Sequence, residues 1–254
     1  MKAKQIRYPG RKWLKHEALW AYPNLRDHLP DTKLYSTQAF IDMIEQYKVV
    51  FVKPDLGMQG KGVMKVTAVK DNGGGYVIRT ADRDYAYRNI NNAAKRLSLL
   101  IGQQQYLVQQ GIDLIQLSGK PVDFRALLHI RPGGGQWRFF GVMGKVAAPN
   151  RIVTNYSSGG RAIRLHQALG ISIEESDEWE QRIKQLSGQI AKAMKKSFPR
   201  ITELGLDLAI DHNKQIWLLE ANTKPHYRLF RHHPNPNLFA KIASSARLIR
   251  SNGA

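Results

Sequence analysis

Two hydrophobic periods alternate along the chain. Helical spacing marks Thr37–Tyr47, where Phe40, Ile41, Ile44 and Tyr47 fall together and Ser36 or Thr37 can cap the start. A longer helix is predicted over Asp177–Phe198, with Trp179, Ile183, Leu186, Ile190, Ala193 and Met194 as its apolar positions. Shorter helices are predicted near Trp13–Ala21, at Ile90–Ile101 and at Leu238–Ile249. Between them lie apolar runs of strand length: Val49–Val52, Val63–Val69, Tyr76–Thr80, Tyr106–Gln110, Asp123–Ile130 and Trp137–Ala147. Glu203–Asp211 and Gln215–Asn222 form a last pair around a short polar turn. Gly-rich turns at Lys70–Gly75 and Pro132–Gly135 and a loop at Asn155–Gly160 separate the runs. There is no internal repeat, and the pattern is that of an α+β fold.

Two places interrupt the apolar pattern with chemistry. After Val49–Val52 come Lys53-Pro54 and a loop containing Gly57, Met58, Gln59, Gly60, Lys61 and Gly62, and a strand pattern resumes at Val63. A loop between two strands is neither the P-loop nor the dinucleotide fingerprint, both of which open a helix. Glycines let backbone amides approach phosphate oxygens, although on its own such a loop is as often a plain turn. Lys53, inside a buried strand, calls for an anion nearby. The second place is the late hairpin. If Asp211-His212-Asn213-Lys214 is its turn, Ile210 opposes Gln215 and Asp207 opposes Leu218, so Leu218, Glu220 and Asn222 share a face with Asp207. Two carboxylates and an amide oxygen then converge among apolar neighbours. That is the hard-oxygen set that Mg²⁺ takes; the plainer alternative is a solvated strand face.

Composition narrows the picture further. The chain has 254 residues and is 43% hydrophobic, with no apolar stretch long enough to span a bilayer, so no membrane role is expected. The basic N-terminus lacks the apolar run of a signal peptide, and the expected location is cytoplasmic. With no cysteine, disulfides, thiolate nucleophiles and Cys-type zinc sites are excluded. His226, His232 and His233 have no acid or cysteine beside them to complete a zinc site. A formal charge of +19 points to a polyanionic partner or to a generally basic surface.

Together these stretches resemble the ATP-grasp fold and, more narrowly, the YheC/YheD family of endospore coat-associated proteins. The matching residues run from Lys12-Trp13 and Leu29-Pro30-Asp31-Thr32 through the Lys53 loop, Val108–Ile112, Asp123-Phe124-Arg125, and Asn155 with Gly159-Gly160. They end at Gly205-Leu206-Asp207 and Glu220–Pro225. The resemblance implies that ATP and Mg²⁺ bind between two lobes. Lys53, assisted by Lys12, would meet the α/β-phosphates, and the Gly57–Gly62 loop would close over them. The main chain of Gln109, Gln110 and Ile112 would hold adenine and Asp113 the ribose. Asp207, Glu220 and Asn222 match the Mg²⁺ set, and Asn155 lies on the substrate side. Arg125 and Lys145 would meet the γ-phosphate or an acyl-phosphate. For Arg125, a surface ion pair with Asp123 is the plainer alternative.

The implied reaction is activation of a small-molecule or peptide carboxylate as an acyl-phosphate, followed by attack of an amine or a thiol. The alternative is a non-catalytic spore-coat scaffold that retains the nucleotide fold, and spore association follows from the family likeness alone. A nucleic-acid-binding role, suggested by the charge, has no motif behind it. The expected organisation is an N-terminal helical segment over 1–34, a small lobe over 35–105 and a large lobe over 106–254. Only some 50 residues precede Lys53, so a separate N-terminal substrate domain is not expected.

Overall fold

Two antiparallel sheets, the first with helices on one face and the second with helices on both, meet across a cleft. The computed structural model describes residues 9–70, 74–148 and 159–251. The first sheet takes β1 (Thr32–Leu34), β2 (Val49–Pro54), β3 (Met64–Val69), β4 (Gly75–Arg79), β5 (Asp84–Tyr87) and β6 (Tyr106–Gln110), in the order β1-β6-β2-β3-β4-β5. Strict alternation along β2 sends Val50 and Val52 into the core and Phe51 and Lys53 toward the cleft. The core side is covered by α3 (Thr37–Tyr47) and α4 (Ile90–Ile101) through Phe40, Met43, Ile44, Ala93 and Leu97. Ser36 caps α3 by accepting from the Ala39 amide. Tyr106–Gln110, expected to open the large lobe, is instead a central strand of this sheet. It lies between β1 and β2, because pairing on both sides buries its apolar residues.

The second sheet is built from β8 (Lys120–His129), β9 (Arg138–Val146), β10 (Arg161–Ile163), β11 (Glu203–Ile210) and β12 (Ile216–Asn222), ordered β10-β9-β8-β11-β12, with β7 (Gln116–Leu117) beside β8. One face carries Phe124, Ala126, Leu128, Leu204, Leu206 and Leu208 against α6 (Ile173–Ser197). This helix starts four residues before the predicted Asp177. A capping box between Ser172 and Glu175 fixes the start, and it adds a polar turn that hydrophobic spacing does not mark. The N-terminal α1 (Lys12–Trp20) packs against α6 and the edge strand β12, and Leu19 and Leu29 join the same core.

The opposite face is divided lengthwise. At one end Leu127, Phe140 and Met143 are covered by a 3₁₀ turn (Arg228–His232) and α7 (Leu238–Ser251), through Leu229, Phe230, Leu238 and Ile242. At the other end the same face carries Asp123, Arg125, Lys145 and Asp207. β1, β5, β7, β10, the single-turn α2 (Pro23–Arg26), the 3₁₀ turn and the short α5 (Leu165–Leu169) are additions to the predicted elements.

A buried polar cluster holds α7 on the sheet. Glu203 accepts from Arg250 Nη2 at 2.9 Å and from Nε at 3.2 Å, and His129 Nδ1 lies 3.0 Å from Ser245 Oγ. Burial, with the Arg250 and Arg138 guanidiniums, pushes the His129 imidazole down to about 4, so it is neutral near pH 7. The unfolded chain takes up that proton below about 6.5 and the folded chain does not, so stability attributable to His129 is lost as pH falls from 6.5 toward 4. His129→Asn is expected to make the acid-side loss of stability shallower, as measured by urea midpoints at pH 7 and pH 4.5. Glu203→Gln is expected to cost about 2 kcal/mol at pH 7 in the same assay.

Candidate active site

The late hairpin supplies the acidic half of the cleft. Its turn is one residue longer than predicted, so Ile210 pairs with Ile216, and a bulge follows between Asp207 and Leu208. Asp207 therefore lies directly opposite Glu220, not Leu218. Leu218 pairs with Leu208 and points into the α6 core. The two single-residue offsets add to two, which returns Glu220 and Asn222 to the face of Asp207. Asn222 Nδ2 donates to Asp207 Oδ2 at 3.0 Å.

Cations from the neighbouring strands converge on the same carboxylate. Asp207 pairs with Arg125 across β11 and β8, and the guanidinium binds it bidentately, Nε to Oδ1 at 2.9 Å and Nη2 to Oδ2 at 2.8 Å. Lys145 Nζ lies 2.6 Å from Asp207 Oδ1 and 3.1 Å from Asp123 Oδ1. The partner of Arg125 is thus Asp207 inside the cleft, and the surface pair with Asp123 is not formed, because Lys145 occupies Asp123. Burial alone would raise the pKa of Asp207. Arg125 and Lys145 outweigh it and hold the carboxyl well below its ordinary range.

The small lobe and α1 bring three lysines to the other half. Lys53 Nζ donates to Gln109 Oε1 at 2.6 Å and reaches the Leu219 carbonyl, across the lobes, at 3.4 Å. Lys12 Nζ donates to the Gly57 carbonyl at 3.1 Å and lies 3.7 Å from Glu220 Oε1. Lys15, only 6% exposed, donates to the Ala221 carbonyl at 2.7 Å. Burial pushes Lys53 down to about 8; Glu220 opposes this, and Lys12 and Lys15 add to it. Burial also lowers Lys15. The cavity between them measures about 40 Å³, with Leu19, Leu29, Leu107 and Leu218 on its apolar side. His16 lines it as a neutral ring, its pKa lowered to about 4 by burial and by Lys53.

A family model for YheC/D-like ATP-grasp proteins matches residues 7–246. The chain belongs to the YheC/D-like ATP-grasp family. Endospore coat-associated protein YheD of Bacillus subtilis (strain 168) is 31% identical over 236 residues, covering 89% of this chain and 50% of YheD. The chain thus spans about half the length of that relative. Among solved structures, D-cycloserine synthetase DcsG matches with a TM-score of 0.58 at 14% identity, covering 95% of this chain and 71% of DcsG. D-alanyl-alanine synthetase A from Vibrio cholerae O1 biovar eltor gives 0.56 at 12% identity, covering 94% and 66%. These likenesses are of fold, and the two lobes described above are the ATP-grasp lobes.

The ATP-grasp cleft brings together most of the residues singled out by sequence. Lys12, Lys53, Gln109 and Glu220 line its cavity, and Arg125, Lys145, Asp207 and Asn222 contact one another beside it, with Asp207 opposite Glu220 in the strand pair. The glycine loop is exposed at its rim, with Gln59, Gly60 and Gly62 at positive φ. At Gly62 a Cβ would sit 2.9 Å from the Tyr106 hydroxyl, so the close turn needs glycine. Three further expectations concern residues that these contacts do not include. The amides of Gln110 and Gly111 donate to the Asp31 and Val49 carbonyls. Asp113 stands apart from the cluster; its side chain is exposed and lies 3.7 Å from His212. Asn155 lies outside the described residues.

Asp207, Glu220 and Asn222 fit a magnesium ion by chemistry: two hard carboxylates and an amide oxygen on one strand pair. Among the described residues no group of three His, Cys, Asp or Glu could hold a metal, so the side-chain carboxylates of this set number two, Asp207 and Glu220. Sequence reasoning missed Lys15, His16 and Asp55. Asp55 is 1% exposed; its Oδ1 accepts from the Trp13 amide and its Oδ2 from Arg11 Nη1, which gives α1 its N-terminal cap from 42 residues away. The signal for Lys15 and His16 was the helical spacing of Lys12, Lys15, His16 and Leu19, which puts them on one side of α1.

An anion bound at Lys53 raises its pKa again, so binding takes up a proton. Affinity for a nucleotide diphosphate with Mg²⁺, followed by intrinsic tryptophan fluorescence, is expected to be flat below pH 8 and to fall as pH rises through about 8. Lys53→Arg is expected to remove that inflection. At Gly205 a Cβ would come within 2.6 Å of Pro225 Cβ and 3.2 Å of Arg125 Cδ. Gly205→Ala is therefore expected to displace Arg125 from Asp207 and to lower the magnesium-dependent affinity, measured by the same titration.

Proposed function

We propose that this ATP-grasp cleft binds ATP with Mg²⁺ and activates a carboxylate as an acyl-phosphate, which an amine then attacks. The observation that carries the reading is the convergence of Lys12, Lys15, Lys53, Arg125 and Lys145 on only three carboxylates, Asp123, Asp207 and Glu220. That leaves two positive charges in excess inside a cleft, which suits a polyphosphate. The family and its fold relatives support the class of reaction.

Asp207, Glu220 and Asn222 would hold the metal, which supplies charge neutralisation at the phosphate oxygens. The two oxygens of Asp207 cannot serve Arg125, Lys145, Asn222 and a metal at full strength. Arg125 and Lys145 are then the donors left to meet the transferring phosphoryl group. Lys53 and Lys12 would meet the α- and β-phosphates, and the Gly57–Gly62 amides would form the rim above them. The acid's carboxylate oxygen takes the terminal phosphoryl group, releasing ADP. The amine nitrogen then bonds to the acyl carbon, phosphate leaves, and the amine proton passes to solvent. Positioning and charge stabilisation suffice for both steps; no protein nucleophile is needed.

Phosphate release with MgATP is the direct assay, run across a panel of carboxylic acids and amines. Glu220→Ala is expected to lower turnover more than about 100-fold while the fold is retained. Nucleotide bound without turnover across the panel would instead favour a nucleotide-binding scaffold, and failure to bind nucleotide would overturn the reading.

A further inference from the structure

The charge of the chain is partitioned by position. No aspartate or glutamate occurs between Asp123 and Glu174, and none follows Glu220 to the last residue, while Lys and Arg number seven in the first stretch and six in the second. The acids are elsewhere; Glu174, Glu175, Asp177, Glu178 and Glu180 cluster at the start of α6, on the far face of the large sheet.

The two carboxylate-free stretches meet at the phosphoryl end of the cleft. The chain leaves Asn222 and within six residues enters the 3₁₀ turn, which packs against β10. This segment is fixed: Leu229 and Phe230 are buried, and the His226 carbonyl accepts from Arg125 Nη1 at 3.4 Å. Arg164 follows β10 directly, and burial together with its guanidinium holds the His233 imidazole below its ordinary pKa. Arg164, Arg228 and Arg231 are exposed. Among the described residues Arg125, Lys145 and Arg250 from these stretches are in ion pairs, and Arg164, Arg228 and Arg231 are not.

A monocarboxylic acid needs no more than the cations already at Asp207. Further exposed arginines repel one another and those cations, a cost that an external polyanion removes. The aromatic rings beside them are already engaged: Arg231 lies over the Phe239 ring at 4.8 Å, Tyr227 and Phe239 are 5.7 Å apart, and Phe230 is buried, which leaves little ring face for stacking bases. We propose that this rim docks the acid substrate and that the substrate is an acidic peptide. One of its carboxylates reaches the Asp207–Asn222 end while others lie along Arg164, Arg228 and Arg231. The inference rests on the ligase reading for the role of that first carboxylate.

The test uses the full chain and fluorescently labelled hexa-L-glutamate, read by anisotropy at low salt. Binding is expected, it should weaken steeply with added salt, and the double variant Arg164→Glu/Arg228→Glu should weaken it about tenfold or more. Nucleotide affinity of that variant, measured separately, should match the parent and so reports intact folding. Absent peptide binding, or binding equal in the variant, overturns the proposal. So does a single-stranded DNA 12-mer that binds tighter than the peptide and loses affinity in the same variant, since the rim then serves nucleic acid. Nucleotide binding without peptide binding sinks this inference alone; peptide binding without nucleotide binding sinks the ligase reading alone.

Discussion

The structure turns on an imbalance of charge held out of bulk water. Five cationic side chains surround three carboxylates where the lobes meet, and burial lowers both Lys53 and Lys15. Such a cleft is tolerable only because each ammonium has a close oxygen: Gln109 and Leu219 for Lys53, Gly57 for Lys12, Ala221 for Lys15. Three of those oxygens are main-chain carbonyls, which are neutral. They satisfy hydrogen bonds without cancelling charge, so the field stays available for an anionic ligand.

The elements of the fold serve that field. Alternation in β2 puts Lys53 in the cleft and its neighbours in the core. The large sheet divides one face between an apolar half under α7 and a polar half around Asp207. The bulge at the end of β11–β12 lets Leu218 belong to the α6 core while Glu220, two residues on, faces Asp207. A regular ladder would give both residues the same face, and one of them would be misplaced.

Much of this was legible in sequence where the signal was local. The helix at Ile90–Ile101 matches residue for residue, and the Lys53 strand and the acidic hairpin stand where spacing put them. What failed was set by distant partners. The hairpin register needed knowledge of an extra turn residue and a bulge. Tyr106–Gln110 was assigned to the wrong sheet because an apolar strand does not reveal which strands it pairs with. Arg125 next to Asp123 in sequence suggested a pair, but strand alternation puts both on one face, where Lys145 and Asp207 compete for them more closely. The helix cap from Asp55 leaves no mark near α1 at all.

That cap has a mechanical consequence. Asp55 begins the glycine loop, and the same residue terminates the first turn of the helix that carries Lys12, Lys15 and His16. Loop and helix therefore behave as one lever: a displacement of the phosphate-covering segment pulls on the helix start, and with it on three groups that line the opposite wall. Opening the mouth of the cavity and loosening its cationic lining become a single movement.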